Sequence, residues 1–300
     1  MFHIKKNLTL LTLVIFALAL LISGCSQNSS QPQVKQEPKQ SVLRVGLIPN
    51  QAPDKIKAQY EPFRKYLAEK LGMSVELFVA TDYAGVVEAM ANDKLDVAYF
   101  GGLTYAQAKQ RAKIHPIVTE IDVETQTSKY YSLIIVPADS SVQATSELKG
   151  KVFAFGDISS TSGSLYPRYM LDKAGIKVPE GFKNVVYTGG HDATAQAVQN
   201  GTVDGGGIEG RILNRLIANG TVDAKKIRVI DKNLVEGYPW VVRDSLDKSL
   251  EEKIINSFLE MNDQNLLSLM RAKAFTKVTE ANYTEVEKEA NRLGLINPKK

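Results

Sequence analysis

A chain of 300 residues with 44% apolar and 23% charged side chains has the make-up of a soluble globular protein long enough for two domains with good cores, which excludes a disordered chain. The formal net charge is only +4, and no basic stripe interleaved with aromatic residues occurs, so nucleic acid is excluded as a partner. Cys25 is the one cysteine and the three histidines (His3, His115, His191) are scattered, which excludes an internal disulfide and leaves no metal-ligand constellation.

Residues 8–22 form an uncharged apolar run behind Lys5 and Lys6, followed by Ser23, Gly24 and Cys25. The run suits the core of an export signal and is short for a membrane span. Ile22-Ser23-Gly24-Cys25 resembles the lipobox of bacterial lipoproteins, so residues 1–24 are expected to be a signal peptide and Cys25 the acylated first residue of the mature chain. Cleavage removes the charges of Lys5 and Lys6 and takes the net charge from +4 to +2. Residues 25–41, rich in Ser, Gln, Pro and Lys, read as a flexible tether.

Residues 42–48 read as a strand, 49–53 as a loop and 56–71 as a helix, with Ile56, Tyr60, Phe63, Leu67 and Leu71 at helical spacing and Gly72 closing it. A strand at 75–79, a helix at 83–91, a strand at 95–100 and a helix at 103–112 continue the alternation. That pattern predicts a mostly parallel sheet with helices on its faces. Residues 131–137 are a longer apolar strand, after which the pattern restarts. Strands at 152–155, 184–187, 203–208 and 226–230 alternate with helices near Leu165, Ala193 and Ile212, and after 239–243 only helical patterns follow, from Leu246 onward. Two α/β lobes are expected, 42–136 with 241–300 and 137–240, with chain crossings near 133–137 and 238–243. Two such crossings make a hinged, ligand-trapping cleft.

Ligands of these sheets sit beyond the carboxyl ends of the strands, and the strand ends are where this chain carries polar residues. After the strand at 152–155 comes Gly156-Asp157-Ile158-Ser159-Ser160-Thr161-Ser162-Gly163, entering a helix. The first N–H groups of a helix have no internal partner and favour negative charge, so the hydroxyls of Ser160, Thr161 and Ser162 stand where an oxyanion can bind. One of them can equally be an ordinary N-cap, but a cap needs only one hydroxyl. Asp82-Tyr83-Ala84-Gly85 and Gly189-Gly190-His191-Asp192 also lie between strand and helix, and Lys129-Tyr130-Tyr131-Ser132 opens the first crossing, with one tyrosine inward and one outward. Ser162 lacks the Gly-x-Ser-x-Gly elbow of a hydrolase, and no Walker A ending follows the loop.

With these residues in order, from about residue 43 to its C-terminus the chain resembles the phosphate/phosphite/phosphonate-binding lipoproteins of bacterial ABC importers. The resemblance rests on Asp82-Tyr83-Ala84-Gly85, Asp96-Val97-Ala98-Tyr99-Phe100-Gly101, Lys129-Tyr130-Tyr131-Ser132-Leu133, Gly156-Asp157-x-x-Ser160-Thr161-Ser162-Gly163 and His191-Asp192. It implies a two-lobed, type II-like periplasmic binding protein with a hinge of two crossings and no cofactor. It also implies that Tyr83, Tyr130, Ser160, Thr161, Ser162 and His191 hold the phosphorus-bound oxygens. Where aminoalkylphosphonate binders of that family hold an ammonium with two carboxylates, this chain has Glu209 to Arg211 and Tyr238. Phosphite, phosphate or a small phosphonate such as methylphosphonate is therefore the expected ligand, with Tyr238, and Trp240 beside it, closing the cleft. The implied partners are an ABC permease with its ATPase, and the membrane through a lipid on Cys25, in the periplasm or at the outer face of the cytoplasmic membrane. The other readings are a ligand-sensing lipoprotein of the same fold and a phosphate-ester hydrolase.

Overall fold

The computed structural model describes residues 42–296; the expected signal peptide, Cys25 and the tether lie outside them. Two mixed sheets organise the described chain. The first contains β1 (Val42–Leu47), β2 (Ser74–Val79), β3 (Val97–Tyr99), β4 (Ile114–Asp122), β10 (Trp240–Arg243) and β11 (Ala272–Lys277), in the spatial order β11-β4-β10-β3-β1-β2. The second contains β5 (Lys129–Pro137), β6 (Val152–Phe155), β7 (Asn184–Tyr187), β8 (Gly205–Glu209) and β9 (Ile227–Glu236), in the order β7-β6-β8-β5-β9. The strand–helix units pair in parallel, β1 with β2 and β3, and β6 with β7 and β8. Strands arriving from a crossing, β10 and β5, join antiparallel. Each sheet is thus mixed rather than mostly parallel, because the crossings bring the chain in from the opposite end.

Helices α1 (Pro53–Leu71), α2 (Tyr83–Ala91), α3 (Gly102–Lys109), α7 (Lys248–Leu259), α8 (Gln264–Leu269) and α9 (Thr284–Arg292) serve the first sheet. Helices α4 (Tyr166–Lys173), α5 (His191–Gln199) and α6 (Gly210–Ala218) serve the second. In α1, Ile56, Tyr60, Phe63 and Leu67 are buried, as their spacing requires, and Gly72 takes the left-handed conformation (φ 64°) that ends the helix. In β5 the alternation of side chains splits an apolar run between two cores: Leu133 and Ile135 face Val198, Ile208 and Ile212, while Ile134 and Val136 face Phe153, Met170 and Leu171.

Two strands depart from the expected elements. β4 was not anticipated, and β11 occupies a stretch read as helical. Both exist through non-local antiparallel pairing, β4 with β10 and β11. The expected first crossing at 133–137 lies wholly within the second sheet, hydrogen-bonded to β8 and β9. The chain changes sheets between Asp122 and Lys129 and returns between Glu236 and Trp240. There the two passages run side by side: the Gly237 N–H donates to the Ser128 carbonyl (2.7 Å), and a Cβ on Gly237 would lie 2.4 Å from Thr119 Oγ1. Only glycine fits that approach.

Candidate functional site

Phe155 ends β6, and Asp157 organises the loop behind it. Its Oδ1 accepts the Ser159 N–H (2.7 Å), and its Oδ2 accepts the N–H of Tyr83, at the start of α2 on the first sheet (3.3 Å). Burial raises the Asp157 pKa, opposed by these two backbone donors. The three consecutive hydroxyls then take different positions. Ser160 caps a single π turn, Thr161–Leu165, that runs into α4; its Oγ accepts the Gly163 N–H (3.0 Å). Thr161 Oγ1 accepts the Leu103 N–H at the start of α3 (2.9 Å). Ser162 Oγ is buried without a hydrogen-bond partner. The cap reading and the donor reading are compatible, since a hydroxyl that accepts from an N–H keeps its own proton to donate.

Around this loop the other expected residues converge. A Cβ on Gly163 would lie 2.9 Å from Ser160 Oγ and 3.0 Å from His191 Cε1, so glycine lets the loop close against the histidine. His191 begins α5, fully buried, and its Nδ1 accepts the Glu209 N–H (3.3 Å). The neutral ring therefore carries its proton on Nε2, which has no protein partner. Burial holds the His191 pKa down at about 4, so this donor is uncharged at neutral pH. Tyr83 and Tyr130 are both buried; desolvation raises both hydroxyl pKa values, with Ser160 close enough to Tyr83 and Ser162 close enough to Tyr130 to offset part of it. Tyr130 Oη has no hydrogen-bond partner. Tyr131, the other half of the pair, faces outward beneath Lys232 (4.8 Å).

Tyr238 forms the neighbouring wall. Its ring stacks on Tyr99 (centroids 5.2 Å apart) and lies 5.1 Å from Tyr130, while its hydroxyl donates to Glu209 Oε2 (2.8 Å). Glu209 Oε1 accepts from Arg211 Nε at 2.7 Å and lies 3.7 Å from Arg271 Nε. Burial opposes the Glu209 charge, but Arg211 and Arg271 outweigh it and hold the carboxyl at about 2. The Arg211 guanidinium packs over Tyr130 (4.5 Å) and Tyr238 (5.4 Å). Farther back, Tyr99 Oη donates to Glu120 Oε1 (2.5 Å). Trp240, expected beside Tyr238 at the cleft, lies instead in the first core between Tyr99, Phe63 and Phe258, because β10 alternation turns it to that face.

The structure thus brings Tyr83, Tyr130, Ser160, Ser162 and His191 into one buried set of neutral donors, with Thr161 tied to α3 and Tyr238 tied to Glu209. Sequence reasoning missed Arg271 and Glu120. An acidic residue inside the apolar run Ile117 to Ile121 was a usable signal for Glu120; Arg271 carries none in its neighbourhood. Among the described residues no group of His, Cys, Asp and Glu is arranged to hold a metal, and no helix is long and apolar enough to cross a membrane.

Residues 45–283 match the family model described as ABC transporter, phosphonate, periplasmic substrate-binding protein. The phosphonates-binding periplasmic protein of Escherichia coli (strain K12) is 31% identical over 228 residues, covering 74% of this chain and 67% of that one. The phosphate-import protein PhnD of Mycolicibacterium smegmatis is 30% identical over 261 residues, covering 83% of this chain and 80% of that one. Among solved structures, PhnD1 from Prochlorococcus marinus in complex with methylphosphonate is similar with a TM-score of 0.78 and 25% identity, over 85% of this chain and 99% of that one.

Proposed function

The chain belongs to the family of periplasmic substrate-binding proteins of phosphonate ABC transporters, and from that premise we propose that it captures a small, amine-free phosphorus oxyanion between its two lobes and delivers it to a membrane permease. Phosphite, phosphate and methylphosphonate are the candidates. The observation that carries this reading is the trio of buried, unpartnered polar atoms, Tyr130 Oη, Ser162 Oγ and His191 Nε2, around a helix entrance. Buried polar groups without partners are costly, and an anion accepting from all three satisfies them together with charge-assisted hydrogen bonds. Tyr83, Ser160 and Thr161 add hydroxyl protons at the same place.

Both oxygens of Glu209 are engaged, by Arg211 and Tyr238. A ligand ammonium would have to displace one of them beside a guanidinium, which supports an amine-free ligand. The role is binding rather than turnover: the His191 lone pair on Nδ1 is spent on a backbone N–H, so the ring offers the site a proton and not a base for Ser162. Ile22-Ser23-Gly24-Cys25 supports anchoring through a lipid on Cys25. Calorimetry with methylphosphonate, phosphite, phosphate and 2-aminoethylphosphonate tests the ligand; tight binding of the aminoalkyl compound alone would overturn the assignment. Release of a Cys25→Ser variant from the membrane fraction checks the anchor.

A further inference from the structure

An open cavity of about 360 Å³ lies where α6, from the second sheet, meets α8 and β11, from the first. Its walls include Arg211, Arg215, Arg271 and Lys273 against one carboxylate, Glu124. Arg215 donates to the main-chain carbonyls of Ser268 (2.7 Å) and Leu269 (3.0 Å), and Lys273 to the side-chain oxygen of Gln126, so neither charge is neutralised by these contacts. The other two arginines are buried, with side chains 5% and 4% exposed. Glu209 lies 2.7 Å from Arg211 and 3.7 Å from Arg271, and Asp122 lies 3.8 Å from Arg211. Even so, Arg211 Nη2 and Arg271 Nη1 and Nε have no hydrogen-bond partner. Arg215 has its pKa lowered by burial and by the nearby Arg271. Arg271 also stands at φ +60°, in the left-handed turn between α8 and β11 where glycine is favoured.

We propose that this cavity is a second anion site, one that takes a small multivalent oxyanion across the two lobes. Guanidinium forks match the oxygens of a phosphate group in pairs, and an excess of positive side chains in the lining concentrates anions. Its occupant is held by Arg215 and Lys273, with Arg211 and Arg271 in the wall behind them, and because α6 and β11 pack in different lobes it ties them together. The cavity shares no lining residue with the hydroxyl loop, although its Arg211 packs over Tyr130 (4.5 Å), and the proposal does not rest on the identity of the ligand there.

Pyrophosphate is the probe, titrated calorimetrically into the protein alone and into protein with methylphosphonate at saturation, beside an Arg215→Gln/Lys273→Gln double variant and Ser162→Ala. A pyrophosphate-binding event is expected that persists with methylphosphonate present, persists in Ser162→Ala and weakens at least tenfold in the double variant. Absence of binding, loss of all binding in methylphosphonate or in Ser162→Ala, or full affinity in the double variant overturns the proposal. Should the double variant fail to fold, the exposed Lys273→Gln alone is expected to weaken binding severalfold, and unchanged affinity there counts against the site equally.

Discussion

The hydroxyl loop with Tyr130 and His191 and the cluster of Glu209, Arg211 and Arg271 behind it are both buried, yet one is made of neutral groups and the other of charges. The loop is built from neutral groups, and Tyr130, Ser162 and His191 each leave a polar atom unpartnered. The cluster is built from full charges: Arg211 and Tyr238 engage the Glu209 carboxylate, Arg271 faces it, and Asp122 and Glu120 stand nearby, although Arg211 Nη2 and Arg271 Nε and Nη1 keep no hydrogen-bond partner. Neutral donors can be left open toward a ligand at modest expense, whereas an unpaired buried charge costs several kcal/mol. Substitutions in the cluster are therefore expected to act on stability, and those in the loop on affinity.

The largest effect should come from the cluster. Glu209→Gln leaves Arg211 and Arg271 without their central carboxylate and is expected to destabilise the fold by about 3–5 kcal/mol in urea unfolding. A loss below about 1 kcal/mol would break the contrast. The next effect is acid sensitivity at the boundary of the two regions. His191 titrates at about 4 folded against 6.5 unfolded, so between those values the unfolded chain binds a proton that the folded chain refuses. Stability is fully present above pH 6.5 and falls by roughly 3 kcal/mol as the pH drops to about 4. His191→Gln should flatten that slope in unfolding measurements across pH 4 to 7. Glu209, titrating at about 2 folded, adds stability that is present above 4.5 and is lost as the pH falls from there.

Smaller effects separate residues within the loop. Ser162→Ala removes a hydroxyl that bonds to no protein group and should weaken oxyanion binding tenfold or more, about 1.5–3 kcal/mol, with little change in melting temperature. Ser160→Ala also removes the cap on Gly163 N–H, so it should lower stability by about 1 kcal/mol in addition to affinity. Equal stability of the two variants would show that the cap carries no weight. Smallest of all is Lys55→Met. Its pair with Asp192 spans 3.4 Å with the lysine side chain 58% exposed, and its loss is expected to stay under about 0.5 kcal/mol and to shrink in salt.

Much of this was legible without coordinates. The helical spacing of Ile56 through Leu71 and the apolar runs at 42–47 and 152–155 yielded elements close to those observed. The strand-end positions of Tyr83, Ser160 to Ser162 and His191 followed from the same alternation. β4 and β11 were missed because Pro116, Glu120 and Asp122 interrupt one and Lys273, Thr276 and Lys277 lie within the other, so neither reads as an apolar strand by itself. Their stability comes from pairing with each other and with β10, which no local window contains.

Local sequence alone carried the hydroxyl loop and a histidine at a helix start, because each depends on neighbours within a few residues. Tertiary placement settles that Gly163 comes up against His191, that the His191 lone pair faces a backbone N–H, that Tyr238 serves Glu209, and that Arg211 and Arg271 meet on the Glu209 carboxylate. Those outcomes depend on where crossings place distant strands, and electrostatic pairing in a dry interior is set by separations of a few ångströms that local sequence does not encode.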